Sequence, residues 1–196
     1  MAAALEGEAA MTETPGAGPA YLPGDRPADA RAARIIRVDQ AGEFGAVRIY
    51  AGQRAVLRRG KAAKAIEQMA AQEAVHLETF DRLIVERRVR PTALRPLWHV
   101  GGYAMGAATA LLGEKAAMAC TAAVEEVIDE HYAGQLAALG ESDPELSGII
   151  EEYRADEAAH RQTALDHGAR DTLAYPVLTA AVKSASRLAI WLSERF

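Results

Sequence analysis

The sequence predicts an all-α protein built around a bundle of four long helices. Aromatic residues make up only 6% of the 196 residues, and the chain is rich in alanine and poor in β-branched residues, a composition that favours helix over sheet. From about residue 31 onward, apolar residues recur at helical spacing in four segments of about 25 residues, which are separated by short turns. This arrangement is typical of an antiparallel bundle.

The first 30 residues differ in composition from the rest of the chain. They hold five acidic residues against one base, Arg26, and so carry −4 of the net charge of −5. The segment is not Arg-rich like a transit peptide, and it lacks the apolar stretch of a secretory signal. We therefore expect a disordered acidic N-terminal extension on a cytoplasmic protein. Residues 31–196 form one domain that is close to neutral, which disfavours nucleic-acid binding.

Turn-forming residues set the expected ends of the four bundle helices. Gly60 closes the first helix, and the second must end before Pro91. Gly140 closes the third helix, and Asp143 followed by Pro144 is a strong signal for the start of the last. The predicted bundle helices cover residues 31–59, 61–89, 114–139 and 143–167.

Two additional apolar or amphipathic helices are predicted outside the bundle. Residues 96–113 contain no Asp, Glu, Lys or Arg and fall just short of the roughly 20 apolar residues that a spanning helix needs. Residues 172–196 mix apolar side chains with Lys183 and Arg187. This layout is typical of helices that lie in a membrane interface. Helices that cap the bundle or form an oligomer would show the same pattern.

Two of the bundle helices carry a Glu-x-x-His pair on an apolar face. Glu73 and His76 lie on the second helix, and Glu157 and His160 lie on the last. Residues three apart differ by about 60° around the helix axis, so both side chains of a pair leave from one face. One such pair is a weak signal. Two pairs that each interrupt an apolar face are a stronger one, because a buried carboxylate is costly unless it is paired or binds a metal.

The other two bundle helices each contribute one further glutamate on an apolar face. These are Glu43 on the first helix and Glu125 on the third, which we favour over Glu126 because the face of Glu126 is less apolar. The glutamate precedes the Glu-x-x-His pair by 30 residues in the first half of the domain and by 32 in the second. The two halves therefore look like one helical hairpin used twice.

Together these side chains predict a centre for two metal ions. Four carboxylates offset the +4 charge of two divalent ions and can bridge them, while each imidazole terminates one ion. The same inventory characterises ferritin-like di-iron and di-manganese bundles. Internal salt bridges would instead require Lys or Arg on these faces, and the faces carry none. The predicted metal ligands, which are also the predicted catalytic residues, are Glu43, Glu73, His76, Glu125, Glu157 and His160.

For residues near the predicted ligands the sequence gives weaker predictions, and for two of them it leaves two interpretations open. Asp156 is placed either to orient a ligand imidazole or to be a solvated helix acid, and Tyr132 either lines the substrate side or belongs to the core. His131 falls outside the apolar face of its helix. His167 is placed to cap a helix C-terminus. We expect Cys120, the only cysteine, to be an inert buried thiol, and a single cysteine excludes a disulfide framework or a Cys-rich metal site.

Over residues 31–196 the sequence resembles the demethoxyubiquinone hydroxylase family. The long apolar segment before Glu125 and the LSER sequence near the C-terminus make the resemblance specific, because ferritin-like proteins in general lack both. Gln40 stands where many members have His, and Trp191 stands where some have Tyr. The segments that carry the resemblance are RVDQAGEFGAVRIYAGQ, QEAVHLETF, PLWHVGGYAMGAATALLGEKAAMACTAAVEE, DEAAH and AIWLSERF.

The resemblance implies a ferritin-like di-iron monooxygenase of ubiquinone biosynthesis. Such an enzyme uses two iron ions and O₂ to hydroxylate the quinone ring of a demethoxyubiquinone that carries a polyprenyl tail, with NADH as the expected source of electrons. The six predicted ligands match the positions of the family's iron ligands. The resemblance further implies peripheral association with the cytoplasmic face of the inner (cell) membrane. A homo-oligomer and a lipid-binding accessory protein are also expected.

A ferritin-like iron-binding or peroxide-detoxifying protein is the alternative function. Ferritin-type shells need charged exteriors, and the uncharged segment 96–113 argues against one. A rubrerythrin-like protein would carry a second domain with four cysteines, which the single cysteine excludes.

Overall fold

Six α-helices and one short 3₁₀-helix make up the described part of the chain, residues 30–196, in a computed structural model. No strand occurs within this range, so the prediction of an all-α helical bundle is confirmed. The acidic extension predicted for residues 1–30 lies outside the described residues, except for Ala30, which begins the first helix. The helices are α1 (Ala30–Val56), α2 (Lys61–Glu86), α3 (Arg95–Leu111), α4 (Glu114–Leu139), α5 (Pro144–Asp166) and α6 (Tyr175–Ser193), with the 3₁₀-helix at Ala169–Asp171.

The bundle is formed by two helical hairpins, α1–α2 and α4–α5, which enclose two apolar clusters. One cluster is built around Tyr50, Met69 and Met118, and the other contains Phe80 and Tyr132. On each of the four helices, the predicted ligands lie between a side chain of one cluster and a side chain of the other. The acidic side chains are therefore held in the middle of the bundle with an apolar layer on either side.

Two helices end earlier than the sequence predicted. α1 ends at Val56 rather than at residue 59, because the next four residues reverse the chain and Gly60 takes a φ of 107° that favours glycine. α2 ends at Glu86 rather than at residue 89, because Arg88 adopts a left-handed conformation and Val89 turns back into the core. Both predictions extended the helix into the turn that follows it.

The predicted boundaries of α4 and α5 are confirmed to within one residue. The side chain of Asp143 caps α5 by accepting a hydrogen bond from the backbone N–H of Leu146 at 3.1 Å. The same carboxylate pairs with Arg87, just beyond the end of α2. Although partial burial acts to raise the pKa of Asp143, the Arg87 guanidinium holds it below its ordinary value. This contact ties the two hairpins together at one end of the bundle.

The additional helix α3 packs closely on α1 through glycines, and the approach is tightest at two of them. A Cβ atom on Gly106 would lie 1.9 Å from the carbonyl oxygen of Ile49, and a Cβ atom on Gly52 would lie 2.2 Å from the carbonyl oxygen of Tyr103. These neighbours are backbone atoms, so they cannot move aside as a flexible side chain would. The two glycines therefore set the spacing between the helices.

The second additional helix, α6, packs on α4, and its C-terminal end meets the start of α3. There the indole N–H of Trp98 donates to the hydroxyl of Ser193 at 3.1 Å. Within residues 30–196, no helix is both long and apolar enough to cross a bilayer. Both additional helices nevertheless expose large apolar side chains, which are Leu97, Val100, Tyr103 and Leu111 on α3 and Val177, Leu188 and Trp191 on α6.

Replacing Gly106 with alanine tests this close approach. Because the new Cβ would overlap the backbone of Ile49, we expect Gly106→Ala to lower the free energy of unfolding by about 1–3 kcal/mol, seen as a lower melting temperature. Gly101→Ala on the same helix is the matched control, since a Cβ there meets no atom within 4 Å. The control should be neutral or slightly stabilising. Equal melting temperatures for the two variants would contradict the packing described.

Candidate metal centre

All six predicted ligands meet in the middle of the bundle, and none has a side chain more than 3% exposed. They form two overlapping groups in which the potential ligand atoms lie within 4.8 Å of one another. Glu73 and Glu157 belong to both groups. The first group adds Glu43 and His76, and the second adds Glu125 and His160. The two groups thus share two carboxylates, and each group has one further glutamate and one histidine of its own. A pair of metal ions bridged by carboxylates requires this arrangement.

The two imidazoles direct their Nδ1 atoms at the carboxylates. His76 Nδ1 lies 3.3 Å from Glu157 Oε1 and 3.7 Å from Glu43 Oε2. His160 Nδ1 lies 2.9 Å from Glu73 Oε1 and 3.4 Å from Glu157 Oε2. Every Glu-x-x-His pair therefore contributes both of its side chains to the same centre, as their spacing on one helical face requires.

Most ligand atoms of this cluster have no hydrogen-bond partner. Eight buried atoms lack one, including both carboxylate oxygens of Glu73 and of Glu157 and the Nδ1 atoms of both histidines. Buried polar atoms are normally satisfied, and no Lys or Arg side chain within residues 30–196 pairs with any of these glutamates. A donor set of carboxylate oxygens and imidazole nitrogens suits iron or manganese, so the residues fit a pair of such ions.

On the side of the ring that faces away from the cluster, each histidine contacts a residue of the opposite hairpin. His76 Nε2 lies 3.1 Å from the carboxylate of Asp156, and His160 Nε2 lies 3.0 Å from the side-chain oxygen of Gln72. Both partners are acceptors, so Nε2 carries a proton and Nδ1 is the ring atom directed into the cluster. Asp156 therefore contacts the imidazole of a predicted ligand, His76, which agrees with one of the two interpretations that the sequence left open.

Two tyrosines hold the remaining glutamates in the same crossed manner. The hydroxyl of Tyr50 on α1 donates to Glu125 Oε1 on α4 at 2.7 Å, and the hydroxyl of Tyr132 on α4 donates to Glu43 Oε1 on α1. Burial and the neighbouring glutamate charges raise the pKa of both hydroxyls well above the ordinary value. Tyr132 is thus a core residue that also positions the predicted ligand Glu43.

The electrostatics of the cluster favour added positive charge. Burial, reinforced by the neighbouring glutamates, raises the pKa of Glu73 and of Glu125 well above the ordinary value. Burial acts to lower the pKa of His76, but the adjacent Glu157 and Glu43 carboxylates outweigh it and raise that pKa to about 10. The two imidazoles likewise overcome burial and lower the pKa of Glu157 to about 2. Either protons or metal cations must neutralise this site.

The structure distinguishes the predicted ligands from their neighbours. Glu126 lies outside the cluster, where it pairs with Lys183 and with Arg161, whereas Glu125 lies in it. His167 Nδ1 lies 2.8 Å from the Thr163 carbonyl oxygen near the end of α5, which agrees with a capping role. Burial raises the pKa of the Cys120 thiol to about 12, as expected for an inert core cysteine.

Sequence reasoning missed Tyr50 and Gln72 as partners of the ligands. Tyr50 follows Glu43 by seven residues, as Tyr132 follows Glu125, and Gln72 precedes its Glu-x-x-His pair as Asp156 does. Comparing the two halves position by position would have found both. Sequence reasoning also missed the contacts of His131. Its Nε2 atom lies 2.8 Å from Gln135 Nε2, and the Gln135 amide in turn donates to Oδ1 of the buried Asp39.

An apolar cavity of about 320 Å³ lies beside the cluster. Its walls come from α1, α3, α4 and α6, and they include Ala46 and Ile128, each one helical turn from a predicted ligand. Leu97 and Leu188 also line the cavity and are more than half exposed. The cavity is therefore bounded on the outside by α3 and α6 and on the inside by residues of α1 and α4 that neighbour Glu43 and Glu125 along the chain.

Fold and site together define a class of protein, a helical bundle with a buried candidate centre for two cations next to an apolar cavity. The chain belongs to the family described as ubiquinone biosynthesis protein COQ7, which matches residues 30–193. This match covers all of the bundle and both additional helices.

Relatives from bacteria and eukaryotes cover most of the chain. A Rhodospirillum rubrum protein named 3-demethoxyubiquinol 3-hydroxylase is 55% identical over 175 residues, which are 89% of this chain and 82% of the relative. The human NADPH-dependent 3-demethoxyubiquinone 3-hydroxylase, mitochondrial, is 52% identical over 166 residues (83% and 76%). The 5-demethoxyubiquinone hydroxylase, mitochondrial, of Saccharomyces cerevisiae is 44% identical over 187 residues (85% and 80%).

Replacing Glu73 with glutamine tests whether the cluster is built for cations. Metal binding to the folded state should raise the melting temperature of the wild-type protein by roughly 5–10 °C at saturating Fe²⁺ or Mn²⁺. Glu73→Gln removes a buried charge, so the metal-free variant should be at least as stable as the metal-free wild type and should lose the response to metal. Glu126→Gln, outside the cluster, should keep the response. A metal response that survives in Glu73→Gln would contradict the assignment.

Proposed function

We propose that this protein is an O₂-dependent di-iron monooxygenase that hydroxylates the ring of a demethoxyubiquinol in ubiquinone biosynthesis. Two iron ions would be held by Glu43, Glu73, His76, Glu125, Glu157 and His160. When bound, the iron pair supplies the reduction and activation of O₂. The observation that carries the proposal is the meeting of these six side chains, with their inward atoms unpartnered, in a chain of the COQ7 family.

Neighbouring side chains orient the six predicted ligands before any metal ion binds. Tyr50 and Tyr132 fix one oxygen of Glu125 and of Glu43, which leaves the second oxygen of each directed inward. Asp156 and Gln72 fix the tautomer of the two histidines. Apolar layers above and below the cluster exclude bulk water, which strengthens every electrostatic interaction inside it.

The apolar cavity fits a substrate with a long hydrocarbon tail. Its volume falls in the range of small-molecule sites, and its walls are glycine, alanine and larger apolar side chains with few polar groups. Val124 and Ile128 line it on either side of Glu125 along α4. A quinol ring placed at this inner end would lie next to the metal centre, with its tail directed out between α3 and α6.

We further propose that the outer surface of α3 and α6 contacts a membrane from which the quinol enters. Leu97, Val100 and Leu111 share one exposed face of α3, close to exposed side chains of α6. Arg48 and Arg95 flank this face, where they lie over the rings of Tyr103 and Phe44, and neither pairs with a carboxylate within residues 30–196. Apolar side chains bordered by unpaired cations favour an anionic lipid interface.

The electron source is proposed to be a reduced nicotinamide. The human and mouse relatives are named as NADPH-dependent, whereas the sequence resemblance led us to expect NADH, so both should be supplied in an assay. The described helices include no strand–glycine-rich loop–helix unit of the kind that binds dinucleotides.

A homo-oligomer and a lipid-binding accessory protein also stay proposals. Iron storage or peroxide removal, the alternative function, is not favoured by the named relatives.

Turnover of a short-tailed demethoxyubiquinone is the direct test of this function. Purified protein loaded with iron should convert it, in the presence of O₂ and NADH or NADPH, to a product heavier by one oxygen atom, detected by mass spectrometry. His160→Ala removes a ligand imidazole and should lower the rate by at least a thousandfold (~4 kcal/mol), whereas Glu78→Gln on the exposed side of α2 should retain it. Full hydroxylation by the metal-free protein would refute the proposal.

Vesicle binding tests the proposed membrane surface. A charge placed on the apolar face of α3 must be taken into the interface, so Val100→Asp should reduce the fraction of protein that floats with anionic lipid vesicles, with roughly a tenfold loss of partitioning. Val85→Asp, an equally exposed valine at the end of α2, is the control and should bind like wild type. If both variants lose binding to the same extent, α3 is not the contact surface.

A further inference from the structure

The candidate metal centre is built on an internal twofold relation between the hairpins α1–α2 and α4–α5. Tyr50 on α1 bonds Glu125 on α4, just as Tyr132 on α4 bonds Glu43 on α1. The residue that precedes each Glu-x-x-His pair contacts the imidazole of the other pair. The geometry of the two halves is thus closely matched, so a difference in chemistry between equivalent positions stands out.

At one pair of equivalent positions, the two halves carry side chains of different charge. Asp156 presents a carboxylate to His76 at 3.1 Å, whereas Gln72 presents a neutral amide oxygen to His160 at 3.0 Å. No Lys or Arg side chain within the described helices pairs with Asp156, so its charge acts on the imidazole. Asp39, another carboxylate near this half, accepts a hydrogen bond from the Gln135 side chain at 2.6 Å and lies 3.7 Å from His131 Nε2, not against an imidazole of the cluster.

We infer that the two cation positions are unequal, with the Glu43–His76 position binding a divalent cation more tightly and filling before the Glu125–His160 position. This inference rests on the proposed metal centre and adds an order of loading to it. A carboxylate acceptor increases the basicity of an imidazole ligand more than an amide does, and loss of such a partner typically weakens metal binding by about 10–100-fold. Asp156 and Gln72 are therefore positioning residues that differentiate the two ions.

Calorimetric titration of the metal-free full-length chain with Mn²⁺ tests the inequality. The wild-type protein should bind two ions in two steps whose dissociation constants differ by at least about tenfold. Asp156→Asn should weaken the first step by about 10–100-fold, and Gln72→Glu should tighten the second. Each single change should bring the two constants together. The two changes combined should separate them again.

Crystals prepared with one equivalent of Mn²⁺ identify which position fills first. Anomalous scattering should place the ion beside His76 in the wild-type protein and beside His160 in the doubly exchanged variant. This inversion of order is a readout that a merely structural role of Asp156 or Gln72 would not produce. It does not depend on enzymatic activity.

Charge-matched controls lie one helical turn away from each positioning residue. Gln68→Glu and Glu152→Gln change the same charge at exposed sites and should leave both steps within about twofold of wild type. Equal occupancy of both positions at one equivalent, or shifts in the site variants no larger than in the controls, would overturn the inference alone. Absence of any Mn²⁺ binding would overturn the proposed metal centre and the inference with it.

Discussion

The structure depends on four carboxylates buried together without a Lys or Arg partner among the described residues. Glu73 and Glu157 at the centre have no hydrogen-bond partner for any of their oxygens, an arrangement that would be strongly destabilising in a protein built only for stability. The apolar layers on both sides prevent water from relieving the repulsion. Two divalent cations would neutralise the four carboxylates completely, and each hairpin supplies two of these carboxylates and one imidazole.

The additional helices connect this charged centre to an apolar environment. α3 can lie on α1 only because glycines remove the side chains between the two backbones, and the remaining space between α1, α3, α4 and α6 is the apolar cavity. Leu97 and Leu188 line the cavity at the outer surface, while Gly42 and Val124, the chain neighbours of Glu43 and Glu125, line its inner side. Under the proposed function, the same packing would keep water from the metal centre and admit an insoluble substrate.

Periodicity and spacing were sufficient to predict the bundle and all six members of the cluster, because each lies on an apolar helical face where a charged side chain is conspicuous. Helix ends were harder to predict from the sequence. The second helix ends early because Arg88 has a left-handed conformation that no local signal predicts. Tyr50 and Gln72 were missed because their partners lie on another helix. Contacts between hairpins follow from three-dimensional packing and become visible in the sequence only when its two halves are compared.

The proposed metal centre requires the six inward side chains to hold a pair of iron ions. Mössbauer spectroscopy, combined with metal analysis of the full-length protein loaded with iron and then oxidised by O₂, is the decisive experiment. We expect about two irons per chain and the diamagnetic signal of a spin-coupled ferric pair. Iron that binds only as isolated ions, or a chain that stays free of iron under iron-replete conditions, would rule out the di-iron centre.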